Sequence, residues 1–92
     1  MRKLRWSEAA ADDLDHIYER IKQDNPEAAR QTVKTIYEGL GALRMFPHRG
    51  RRGAEEGSRE LVFTPLPYVA VYRITPTHIE ISRIWHGAQR RL

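Results

Sequence analysis

Ninety-two residues, 40% of them apolar and 30% charged, suit one folded domain with a thin core and do not suit a disordered segment. Cysteine is absent, which excludes disulfide scaffolds, thiolate metal sites and thiol nucleophiles together. The net charge is +4, thirteen of the sixteen cations are arginine, and the excess lies wholly in residues 47–92, which points to a nucleic-acid surface or an acidic protein partner.

Met1-Arg2-Lys3 is basic, but Ser7 to Asp15 holds four carboxylates where a signal peptide needs an apolar stretch. The longest run free of charge and strongly polar groups, Pro65 to Tyr72, is far short of the ~20 residues of a membrane span. A cytoplasmic protein with no membrane partner is expected. Arg2 to Trp6 reads as a short edge strand. Ser7 then reads as a helix N-cap, and Ala10, Leu14, Ile17 and Ile21 form the apolar stripe of an amphipathic helix. The carboxylates of this helix, Asp12, Asp13 and Asp15 among them, read as its solvated face. Asn25-Pro26 predicts a second cap with proline at the first helical position. Ala29, Val33, Ile36, Leu40 and Leu43 repeat the stripe until Phe46-Pro47. Gly39 and Gly41 cost this helix about 1 kcal/mol each against alanine, and close packing on the first helix is the expected return. The short link makes the pair an antiparallel hairpin.

Pro47 to Ser58, with three glycines and with Arg49, Arg51 and Arg52, reads as an exposed, mobile loop. Beyond it the apolar period falls to two, predicting strands over Arg59–Thr64, Tyr68–Thr75 and His78–His86. The order β-α-α-β-β-β is that of an α+β domain, with a helical hairpin on one face of a small, mainly antiparallel sheet, all within one domain over 1–92. A hairpin symmetric about Pro76 and Thr77 sets Ile74 against Ile79, Tyr72 against Ile81 and Tyr68 against Trp85. On the other face it sets Arg73 against Glu80, Val71 against Ser82 and Val69 against Ile84.

This order, and the ending Ile81-Ser82-Arg83-Ile84-Trp85-His86-Gly87-Ala88-Gln89, resemble the RelE/ParE superfamily of toxin–antitoxin toxins. Asp12-Asp13-Leu14-Asp15-His16-Ile17-Tyr18 is similar to that family's first-helix signature, and Asp24-Asn25-Pro26-Glu27-Ala28-Ala29 to its inter-helix turn. Phe46-Pro47-His48-Arg49-Gly50-Arg51 resembles the segment that closes the second helix, and Tyr68 to Arg73 the central strand. The resemblance implies a growth-inhibiting toxin neutralised by an antitoxin encoded beside it, with no metal and no cofactor. RelE-like members cleave messenger RNA on the ribosome, whereas ParE-like members inhibit DNA gyrase, and the fold does not choose between them.

Metal-free cleavage by the RNA 2′-hydroxyl needs a base, an acid, and cations over the phosphate. RelE-like ribonucleases carry an arginine just after the aromatic residue of the central strand, where this chain has Val69. The His86-Gly87 ending is the more typical of ParE-like sequences. A ParE-like gyrase inhibitor is therefore the leading reading. The alternative is a ribosome-dependent endoribonuclease with the ribosome and mRNA as partners, using His86 with Arg59 or Arg73. A third possibility is a relic that binds antitoxin without toxicity. His86 suits general acid–base work, since imidazole titrates near neutrality. Against that trio, Arg73 faces Glu80 as a cross-strand ion pair, and His86 lies six residues farther along, roughly 20 Å at ~3.3 Å per residue. Tyr68, Tyr72 and Trp85 are expected in the core, though they could stack on bases. Arg49, Arg51 and Arg52 are expected to steer encounter with a target, and Arg83, Arg90 and Arg91 to meet an acidic antitoxin segment.

Overall fold

The computed structural model describes residues 2–87. In chain order the elements are β1 (Lys3–Trp6), α1 (Glu8–Lys22), α2 (Pro26–Gly41), a 3-10 turn (Ala42–Arg44), β2 (Arg51–Arg52), β3 (Ser58–Val62), β4 (Tyr68–Ile74) and β5 (His78–His86). They form a two-layer α+β domain in which the helical hairpin covers one face of a five-stranded mixed sheet, ordered β1-β5-β4-β3-β2. β1 runs parallel to β5, and every other neighbouring pair is antiparallel. No helix among the described residues is long and apolar enough to cross a membrane.

Both helices start where their caps predict. The Ser7 side chain accepts the Ala10 N–H at 2.9 Å, and the Asn25 side chain accepts that of Ala28 at 3.1 Å, which relieves orphan donors of each first turn. Ala10 and Ile17 from α1 meet Ile36 and Leu40 from α2 over Leu61, Ala70, Tyr72, Ile79, Ile81 and Ile84 of the sheet. Tyr68 and Tyr72 are core residues, 6% and 0% exposed, as their alternation predicts. Gly39 does permit a close approach, but to a different neighbour than α1. A Cβ there would lie 2.8 Å from the ring of Phe63, just beyond β3. Gly41 has no such constraint, since its nearest neighbour would be the Arg44 guanidinium at 4.0 Å.

Two local features depart from the sequence reading. The hairpin register holds near its turn, with Ile74 opposite Ile79, Arg73 opposite Glu80 and Tyr72 opposite Ile81, and then slips. Val71 pairs with Arg83, not Ser82, so Ser82 is an extra residue in β5. From there Ala70 meets Ile84, Val69 meets Trp85, and Tyr68 meets His86 in place of Trp85. The bulge sits where β1 gives way to α1: Ser7 donates its N–H to Ile81 O and its hydroxyl to Ser82 O. The second departure is β2. Arg51 and Arg52 pair with Glu60 and Arg59 inside what reads as a mobile loop, and make a fifth strand.

Candidate functional site

The three residues proposed for RNA cleavage are not brought together. Arg59 stands opposite Tyr72, on the helix-covered face. Arg73, the next residue after Tyr72, projects from the other face. His86 stands opposite Tyr68, four positions from Tyr72 along β4, about 13 Å from the level of Arg59. The Tyr68 and His86 rings meet edge to face, with centroids 5.5 Å apart. His86 lines a cleft between α1 and the end of β5, together with Asp13, His16, Arg20 and Arg83. Arg59 instead clamps the loop after α2, its guanidinium donating to His48 O at 3.1 Å and Gly50 O at 2.6 Å.

The strand arginines that could grip a phosphate are committed to carboxylates. Arg51 donates twice to Glu60 Oε1, at 3.2 and 3.1 Å, and Glu60 is buried. Arg73 pairs with Glu55 at 3.1 Å and also donates to Glu56 O; its expected cross-strand partner Glu80 lies near His78. Register placed Arg73 and Glu80 opposite each other correctly, but the turn after β2 offers Arg73 a carboxylate and a carbonyl at once. Arg83 is held by Asp13 through two bonds, Nε at 2.7 Å and a terminal nitrogen at 3.0 Å, and lies 4.1 Å over the Trp85 ring. The Asp13 hydrogen bond raises the Arg83 pKa above its ordinary value, so that cation is permanent.

Asp13 corrects the reading of α1 as a wholly solvated acidic face. β1 pairs with β5 only as far as Ile81, so the rest of β5 has an unpaired edge. The Asp13 carboxylate fills that edge by accepting the Ile84 N–H at 2.9 Å while it binds Arg83. A carboxylate in the second turn of the helix gave no sign of this in the sequence, because its partner is 70 residues away.

The arginine loop is fixed at its root. The fully buried Tyr72 donates its hydroxyl to Pro47 O at 2.7 Å and accepts the Gly50 N–H at 2.9 Å. A Cβ on Gly50 would lie 2.6 Å from both Glu60 O and the Tyr72 hydroxyl, so only glycine fits. The expectation of glycines that deny Arg49, Arg51 and Arg52 a rigid base is thus corrected: here glycine lets the backbone dock. Met45 and Phe46, 66% and 60% exposed, stand ahead of this root; the sequence marked Phe46 only as the end of the second helix and did not mark Met45. Arg49 is exposed beside Phe46, Arg52 is exposed in β2, and Arg90 and Arg91 lie outside the described residues.

The sequence profile described as "ParE toxin of type II toxin-antitoxin system, parDE" matches residues 4–91. The chain belongs to this family of toxins. A putative toxin, Y4kP, of Sinorhizobium fredii is 36% identical over 97% of this chain and 92% of its own length. Toxin RelE1 of Caulobacter vibrioides is 28% identical, with 86% of each chain covered. Among solved structures, a chain of the chromosomal ParDE toxin–antitoxin system from P. aeruginosa superposes with a TM-score of 0.86 at 32% identity, covering 94% of this chain and 96% of that one. YafQ-type folds are more distant: the E. coli DinJ–YafQ complex gives 0.69 at 14% identity, over 98% of each chain, a likeness of fold alone. This ParE family toxin thus has the sheet and helical hairpin that its resemblance implied.

Proposed function

We propose that this ParE family toxin acts in the cytoplasm by binding DNA gyrase, that it is not an enzyme, and that a cognate antitoxin encoded beside it neutralises it. One observation carries the reading: Arg51 and Arg83 are each held by a poorly solvated carboxylate, Glu60 and Asp13, while Arg73 pairs at the surface with Glu55. A nuclease would have to break such a pair and leave Glu60 or Asp13 uncompensated in a poorly solvated place. Val69, at the position where RelE-like ribonucleases carry arginine, supports the same choice. So does the separation of His86 from Arg59 and Arg73.

A binder needs a presented surface instead. The anchored segment from Met45 to Arg52 offers apolar side chains flanked by arginine, the composition of an interface centre and its rim. Arg49 and Arg52 take the steering role on this reading, and Arg51 serves mainly to hold Glu60. Arg83 is likewise held by Asp13, which leaves Arg90 and Arg91 as the C-terminal cations for an acidic antitoxin segment. The test is expression in cells with two readouts, DNA-damage response and translation arrest, followed by supercoiling assays with purified gyrase. Induced DNA damage and inhibited supercoiling are expected. Rapid transcript cleavage at codon boundaries without DNA damage would sink the gyrase reading and favour the ribosome-dependent nuclease.

A further inference from the structure

Arg51, Arg73 and Arg83 each have a carboxylate, whereas Arg52 and Arg59 have each other. The two stand directly opposite in the β2–β3 pair. One step along, the Gly53 N–H donates to Ser58 O at 2.8 Å, which marks that position as hydrogen-bonded. By alternation Arg52 and Arg59 form a non-hydrogen-bonded pair, the kind whose side chains stand closest, with Cβ atoms about 4.5–5.5 Å apart. Like charges placed so destabilise a sheet. Among the described residues Arg52 makes no side-chain hydrogen bond or ion pair, and Arg59 bonds only the carbonyls of His48 and Gly50. Both of those bonds leave from one terminal nitrogen, and the Arg59 Nε is buried with no acceptor. Carbonyls satisfy donors but leave a unit charge uncompensated.

Both arginines line one cleft of about 510 Å³, whose remaining wall is the turn that joins β2 to β3. Two carboxylates belong to that wall, Glu55 and Glu56, and neither is bonded to Arg52 or Arg59. Glu55 is drawn off to Arg73 at 3.1 Å. Glu56 gives Arg73 its main-chain carbonyl, and its own carboxylate holds no ion pair among the described residues. Glu60, next to Arg59 in the chain, alternates to the other face of the sheet, where Arg51 holds it. The cleft thus keeps two uncompensated guanidinium groups of different character. Arg59 is fixed in place by the loop it clamps, so little order is lost when it takes a ligand. Arg52 is exposed on the outermost strand, free to close on that ligand from the open side.

We propose that this cleft is an anion site that takes a phosphate group between the Arg52 and Arg59 guanidiniums. Two planar forks suit an anion with several oxygens and up to two charges better than they suit a single carboxylate. Binding turns a repulsive cross-strand pair into an attractive bridge. The same oxygens come from a free phosphate or from the backbone of DNA, and the open sheet edge admits either. The site goes beyond the gyrase reading and does not rest on it, since it follows from the charge balance of the hairpin alone.

The experiment uses the full chain as wild type, Arg52→Gln and Glu56→Gln, with inorganic phosphate in one arm and a short DNA duplex in the other. In chloride alone, Arg52→Gln is expected to melt no lower than wild type, because it relieves the like-charge pair. Phosphate at equal ionic strength should raise the melting temperature of wild type and leave that of Arg52→Gln unchanged. Arg52→Gln should bind phosphate about ten-fold or more weakly, the worth of a hydrogen bond to a charged group. Glu56→Gln, which removes the one unengaged carboxylate of the wall, should bind it more tightly. If DNA is the source, the duplex binds more tightly than phosphate, and Arg52→Gln lowers its salt slope by about one. Phosphate binding with no gain from the duplex supports the site with free phosphate as its source. Equal melting of wild type in phosphate and chloride, with no binding of the duplex, would overturn the proposal. So would wild-type affinity in Arg52→Gln. A drop in the melting temperature of Glu56→Gln with no response to phosphate would show that Glu56 is the counter-ion, and would overturn it too.

Discussion

Removing one oxygen tests whether the arginine loop is held or merely resting. In Tyr72→Phe the ring keeps its place in the core, where Tyr72 is 0% exposed, so the packing is conserved. Two loop groups lose their partner: the Pro47 carbonyl, bonded at 2.7 Å, and the Gly50 N–H, bonded at 2.9 Å. A hydrogen bond contributes about 1 kcal/mol net, and a buried group left unsatisfied costs about 1–3 kcal/mol. Arg59 still grips His48 O and Gly50 O, so the loop cannot simply swing out to find water. The expected loss is therefore about 2–3 kcal/mol, a large part of the ~5–10 kcal/mol that a domain of this size commands. At about 4–8 °C per kcal/mol this lowers the melting temperature by roughly 10–20 °C. Urea and thermal denaturation give the stability, and hydrogen exchange at Gly50 reports the loop locally. A loss below about 0.5 kcal/mol, with Gly50 exchange unchanged, would refute the claim that the Tyr72 hydroxyl anchors the loop.

Gly50→Ala should destabilise more than Tyr72→Phe in the same denaturation assay, since its Cβ would need Glu60 O and the Tyr72 hydroxyl to move from 2.6 Å. For Asp13 and Arg83, a double-mutant cycle with alanine should show coupling of about 1 kcal/mol or more, whereas additive losses would mean the pair is ornamental. His86→Ala should leave toxicity within a few fold in growth assays, because a general acid–base group would contribute about 10²–10⁴ in rate.

What the sequence disclosed is what short-range periodicity encodes. The two helices follow from their apolar spacing, with Ser7 and Asn25-Pro26 fixing their starts, and the β4–β5 register follows as far as Tyr72 and Ile81. The register fails at Ser82 because the bulge depends on Ser7, whose hydroxyl bonds Ser82 O from 75 residues away. A two-residue strand such as β2 is too short to show a period, and Gly and Arg around it read as loop. Composition likewise conceals the anchoring of Pro47 and Gly50, which one buried tyrosine 25 and 22 residues later provides. For the candidate site, the residue types were legible and their grouping was not. The bulge sends Trp85 and His86 to faces opposite those of an unbroken alternation, so one inserted residue undoes any site built on register alone.

The same long-range pairing changes what the charge distribution means. Residues 47–92 carry the whole net excess, but Asp13 from the neutral half is spent on Arg83, while Glu60 and Glu55 hold Arg51 and Arg73. The exposed cations that remain include Lys3 and Arg5 at one edge of the sheet and Arg52 at the other. Those edges are four strand spacings apart, about 19 Å. One chain segment links them: the turn Ala42–Arg44 contacts β1, and the backbone then passes Met45, Phe46 and Gly50 to reach β2. Met45 and Phe46 come directly after Arg44, so the two exposed apolar side chains sit on the backbone that joins the two cationic edges. On the proposed reading, an antitoxin that covers Met45 and Phe46 excludes the target, and the two are expected to compete for this segment in a binding assay.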